Sequence, residues 1–204
     1  DKTTDNQKIE VDKEAVRQHC RNNPLNYDIG SEIVLAGTPS READVTALFV
    51  NLISTRAIPG LQILRMGDNT TEYDAFLHCD DLTWADVGSS IRKRYKKKAR
   101  SNNSIPVNVT LIGEIKYHAS QLTKDLGDDS RKDINQIDLL ICWDEGDVSD
   151  DWELVELEDY EKFHPSETHQ LSKVGGKKTD CCKVICLKSL LIDLQSNHQL
   201  STEI

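Results

Sequence analysis

The sequence predicts an α/β domain in which helices flank a mixed β-sheet, and three observations carry that expectation. A helical period over 41–55 puts Val45, Leu48, Phe49, Leu52 and Ile53 on one apolar face. Val107–Tyr117 and Ile137–Trp143 are near-continuous runs of β-forming residues, as in central strands covered on both sides. The segment Ala119–Ile134 between them is helix-compatible over part of its length. A strand–helix–strand passage with a right-handed parallel crossover is therefore expected.

Taken in order, Val11–Cys20 reads as a short amphipathic helix that stops before Asn22-Asn23-Pro24. The polar stretch Asp1–Glu10 before it reads as a flexible leader. Ile33–Gly37 is a short apolar run closed by glycine. Ser40 is the expected cap of the helix over 41–55. Pro59-Gly60 marks a turn, Leu61–Met66 a strand, and Gly67-Asp68-Asn69 a second turn into the strand around Asp74, so a hairpin is expected. Leu82–Pro106 is a polar, basic insertion, partly helical around Ser90–Ala99. Gly127 breaks or bends the helix that follows the 107–117 strand. Residues 147–180 read as acidic and turn-rich, and Cys181–Leu194 as a last strand and a short helix. The expected organisation is a leader and short helix over 1–25, a single domain over 26–195 and a tail over 196–204. A first residue Asp1 in place of methionine fits a piece of a larger multidomain protein.

Composition narrows the function classes. The chain is 37% hydrophobic and 29% charged, and no apolar run approaches the roughly 20 residues of a membrane helix. With no signal peptide visible, an intracellular protein is expected (cytoplasm, nucleoid or nucleus), neither secreted nor membrane-bound. The six cysteines are scattered, which suits reduced thiols better than a disulfide framework. A net charge of −10 argues against nucleic acid until its distribution is considered. Arg92, Lys93, Arg94, Lys96, Lys97, Lys98 and Arg100 place seven cations within ten residues, while acids cluster over 144–161. Such a run is expected to grip a phosphate backbone without regard to sequence. A solvated helix face or a nuclear localisation signal has the same composition.

Two stretches put carboxylates among apolar strand residues: Tyr73-Asp74-Ala75-Phe76-Leu77 and Leu111-Ile112-Gly113-Glu114-Ile115-Lys116. A charge there needs a cation or a metal to compensate it. On a strand Glu114 and Lys116 share a face. Two carboxylates hold a hard cation such as Mg²⁺, and an adjacent ammonium orients water or phosphate.

Asp74 followed after a long gap by Glu114-Ile115-Lys116 resembles the PD-(D/E)XK signature of restriction-endonuclease-like nucleases. The resemblance covers roughly residues 35–145. It implies a restriction-endonuclease-like mixed sheet flanked by helices and an Mg²⁺- or Mn²⁺-dependent DNA endonuclease. Asp74, Glu114 and the carbonyl of Ile115 would then ligate the metal, with Lys116 catalytic. The family often adds a glutamate from a preceding helix, here Glu42. Tyr73 stands where the family usually has proline. DNA, a possible homodimeric copy and the remaining domains of a larger parent protein are the partners implied.

Other readings stay open. One is a catalytically silent copy of the fold serving DNA binding or protein interaction. A third is an acidic interaction domain using residues 147–161. Zinc held by His164, His169, Cys181 and Cys182 is a minor alternative, because adjacent cysteines rarely ligate one ion. Gln121 and Gln136 bracket the helix after Lys116 and read as solvated polar positions.

Overall fold

In a computed structural model of the chain, residues 2–67, 72–79, 110–128, 132–162, 164–177 and 180–202 are described. The helices are α1 (Lys2–Asn22), α2 (Glu42–Ser54), α3 (Ala119–Asp128) and α4 (Leu187–Thr202). The strands are β1 (Leu61–Met66), β2 (Ala75–Cys79), β3 (Thr110–His118), β4 (Leu139–Asp144), β5 (Trp152–Glu156), β6 (His169–Lys173) and β7 (Cys181–Cys186). Among the described residues they form one mixed sheet in the order β1-β2-β3-β4-β7-β6-β5. β3, β4 and β7 run parallel at its centre, flanked by the antiparallel β1–β2 and β5–β6 pairs. The expected α/β class, hairpin and parallel strand–helix–strand unit are all present.

Side-chain alternation along the central strands divides the core in two. Ile115, Ile141 and Ile185 pack with Val45, Leu48, Phe49 and Leu52 of α2 and with Leu187, Leu190 and Leu191 of α4. On the other face Leu140, Cys142, Val184 and Cys186 pack with Ala119 and Leu122 of α3 and with Ile134 and Ile137. Sequestering these apolar faces is the dominant stabilising contribution. Cys79, Cys142, Cys182 and Cys186 are buried, and no disulfide links the six cysteines. Among the described residues no helix is long and apolar enough to cross a membrane.

Several elements differ from the sequence expectation. α1 extends through the stretch expected to be a flexible leader, with no helix breaker before Asn22 and pairs such as Glu10–Lys13 at 2.7 Å along it. Ser40 does not cap α2. Arg41 occupies that position without a side-chain cap, and the carboxylate of Asp44 instead accepts from the Ser40 N–H (3.0 Å) and hydroxyl (2.9 Å). Burial alone would raise the Asp44 carboxyl, but these bonds outweigh it and hold the group below its usual range. The 147–180 stretch is not merely turns, since it contains β5, β6 and a short 3₁₀ turn at Asp159–Glu161. Trp152 and Leu154 pack inward from β5 while Glu153 and Glu156 are exposed, as an edge strand with a charged outer face requires.

Candidate functional site

Alternation along β3 creates the site. Because Ile115 turns into the α2–α4 core, Glu114 and Lys116 turn to the α3 face, opposite Leu140 and Cys142 of β4. Glu114 is 0% exposed. Asp74 lies immediately before β2, whose first residue Ala75 pairs with Gly113, so the β2–β3 register carries it alongside Glu114. The Ile115 N–H donates to Asp74 Oδ2 at 2.8 Å and fixes that carboxylate against β3. Glu42 reaches in from the first turn of α2 and is half-exposed.

These groups converge on Lys116. Its Nζ is 3.6 Å from Glu114 Oε2, 3.9 Å from Asp74 Oδ2 and 4.0 Å from Glu42 Oε2. Its shortest contact is to a residue the motif does not name, Asp125 Oδ2 of α3, at 3.1 Å. A second ammonium, Lys132, donates to Glu114 Oε2 at 2.7 Å and lies 4.0 Å from Asp125. Sequence reasoning missed both residues. Asp125 carried a signal, being an acid three positions after the buried Leu122 and so on the sheet-facing stripe of α3. Lys132 carried none, because only the fold brings it back to Glu114.

The electrostatics follow from this crowding. Burial pushes the Glu114 carboxyl up to about 7, the hydrogen bond from Lys132 acting against it and the Asp74 charge with it. Burial raises Glu42 too, partly offset by Lys116. For Lys116 burial alone would favour the neutral amine. The charges of Asp74, Glu114, Glu42 and Asp125 outweigh it, and its pKa is raised. Among the described residues, Glu42, Asp74, Glu114 and Asp125 set four carboxyl groups against two ammonium groups, an excess of negative charge once all four are ionised. Glu114 Oε1 is buried and accepts no hydrogen bond among the described residues, which is costly unless another group completes it. Among the described residues no three His, Cys, Asp or Glu side chains stand as a ready-made metal cage. The carboxylates are instead grouped around Lys116.

The other sequence-selected residues are placed as follows. The Ile115 side chain is core, which leaves only its main chain facing the site. Gln121 Oε1 accepts the N–H groups of Tyr117 (2.9 Å) and His118 (3.0 Å), closing the end of β3. Gln136 accepts the Tyr73 hydroxyl. His118 continues the Glu114–Lys116 face and is hydrogen-bonded to Asp144 through Nδ1. The basic run Arg92–Arg100 lies outside the described residues. His164 is hydrogen-bonded to the Pro59 carbonyl at 2.6 Å and His169 pairs with Glu145 at 3.2 Å, so these imidazoles have other roles than a shared zinc.

The chain matches no family model, no curated protein and no solved structure. The functional reading therefore rests on the residues themselves.

Proposed function

We propose that the chain is a metal-dependent nuclease domain of the restriction-endonuclease-like kind, hydrolysing phosphodiester bonds in DNA. The observation that carries this reading is the buried Glu114 Oε1, which accepts no hydrogen bond among the described residues, in a carboxylate-rich cluster that also holds Asp74. A divalent cation held there would offset that negative charge and give Glu114 Oε1 a partner. Asp74, Glu114 and the main-chain carbonyl of Ile115 are hard oxygen donors of the type Mg²⁺ or Mn²⁺ takes, so the residues present fit the ion. Glu42 and Asp125 stand at the margin of the cluster. The ion supplies Lewis-acid stabilisation of charge developing on the phosphate.

The chain's own groups supply the rest. Lys116 is held as an ammonium by four carboxylates, so it acts as a donor to water or to a phosphate oxygen rather than as a base. The low exposure of Lys116 and Lys132 keeps competing water from these charges. The basic run Arg92–Arg100 stands in sequence between the two acid-bearing strands, where it is suited to the DNA backbone.

A second reading, a silent copy serving DNA binding or protein interaction in a larger protein, is favoured by a different observation. Lys116 and Lys132 already pair the acids into an ion-pair network, and such networks are also purely structural. Plasmid cleavage separates the two. Nicking that needs Mg²⁺ or Mn²⁺ and vanishes in Asp74→Ala and Glu114→Ala is the expected outcome. Equal behaviour of wild type and both variants rejects the nuclease reading.

A further inference from the structure

We propose that Lys132 is a positioning residue of this site, orienting the Glu114 carboxylate so that Oε1 is the oxygen offered to a divalent ion. This inference rests on the metal-site reading above and adds a residue that the D…ExK pattern does not contain.

Lys132 stands in the connection between α3 and β4, and its side chain is only 15% exposed. Its Nζ donates to Glu114 Oε2 at 2.7 Å, and Lys116 faces the same oxygen at 3.6 Å. Both ammonium groups therefore sit on one oxygen of a fully buried carboxylate, while the other accepts nothing among the described residues. A carboxylate can exchange its two oxygens by turning about its Cγ–Cδ bond, so the asymmetry has to be imposed from outside. The Lys116 contact to Oε2 is too long for a good hydrogen bond. Among the described residues, Lys132 makes the one short, charge-assisted bond that distinguishes the two oxygens. Asp125 completes the arrangement. Its Oδ2 holds Lys116 at 3.1 Å and lies 4.0 Å from Lys132, gathering both cations on the α3 side. Partners beyond the ligands commonly fix ligand orientation in metal sites in this way.

Lys132 acts through Glu114, so the experiment reads ion binding rather than turnover. Mn²⁺ binding is measured by electron paramagnetic resonance on the full chain at one fixed neutral pH. Wild type, Lys132→Met and Lys132→Arg are compared, with folding checked by circular dichroism. Wild type is expected to bind Mn²⁺, Lys132→Met to bind it at least about tenfold more weakly, and Lys132→Arg to recover most of the loss because guanidinium donates to the same oxygen. Unchanged or tighter binding in Lys132→Met overturns the proposal, since Lys132 would then only compete with the ion for Glu114. Should Lys132→Met fail to fold, Lys132→Leu, which likewise has no donor, replaces it, and wild-type affinity in that variant overturns the proposal equally. A wild-type chain that binds no Mn²⁺ defeats the metal-site reading itself, a result distinct from either.

Discussion

Glu114 should leave a measurable pH signature on folding, and Glu114→Gln is the perturbation that exposes it. Burial raises its carboxyl from an ordinary 4.5 to about 7 in the folded chain. A group raised on folding favours the folded state when protonated. Its stabilising contribution is full below pH 4.5 and is lost as pH rises through about 7. At 1.36 kcal/mol per pH unit the difference across that window is roughly 3 kcal/mol. Urea denaturation at pH 4.5, 5.5, 6.5 and 7.5 with EDTA present measures it for wild type and Glu114→Gln. Other titrating groups are common to both proteins, so the difference between the two curves reports Glu114 together with its coupling to Asp74, Lys116 and Lys132. The wild-type curve is expected to fall relative to the variant by up to roughly 3 kcal/mol between pH 4.5 and 7.5. Saturating Mg²⁺ at pH 7.5 should then restore about 2.7 kcal/mol at a hundred times Kd, and only in wild type. Parallel curves across the window would refute the reasoning, because Glu114 would then ionise as freely folded as unfolded.

Three further outcomes are expected. Lys116→Met should lower the cleavage rate by about 10²-fold or more, as loss of a positioned donor to the reacting phosphate does, while Mn²⁺ binding persists; a fall in binding alone would make Lys116 a scaffold. Gly146→Ala should cost about 1–3 kcal/mol by thermal melting, because Gly146 has φ +62° and a Cβ there would lie 2.5 Å from Ser120 Oγ and 2.9 Å from His118 Cβ; an unchanged melting temperature would contradict that packing. Replacing Lys96, Lys97 and Lys98 with alanine should weaken DNA binding uniformly across sequences and flatten the slope of log K against log salt by about 0.9 for every phosphate no longer neutralised; an unaltered slope would remove the basic run from the interface.

The sheet's centre was legible because its largely buried strands read as near-continuous β-forming runs: Val107–Tyr117 contains most of β3 and Ile137–Trp143 most of β4. The edge was not. In β5 and β6 the exposed or half-exposed Glu153, Glu156, Gln170 and Ser172 interrupt the inward residues, and that alternation within an acidic stretch resembled turn composition. α2 was readable from its apolar face, but its start was not, since Asp44 reaches back to Ser40 in place of the expected serine cap. In the site, Glu114 and Lys116 were visible as charges at period two on an apolar strand. Lys132 became a site residue only through the α3–β4 return, a proximity that spacing does not encode. Asp125 was in principle readable as a charge on the inner stripe of a helix.

Diffraction from crystals soaked in Mn²⁺ tests the central claim most directly. An anomalous peak within about 2.0–2.6 Å of both an Asp74 oxygen and Glu114 Oε1 is the expected result. A fully soaked crystal with no peak there, and with Lys116 and Lys132 still closed on the acids, would contradict it.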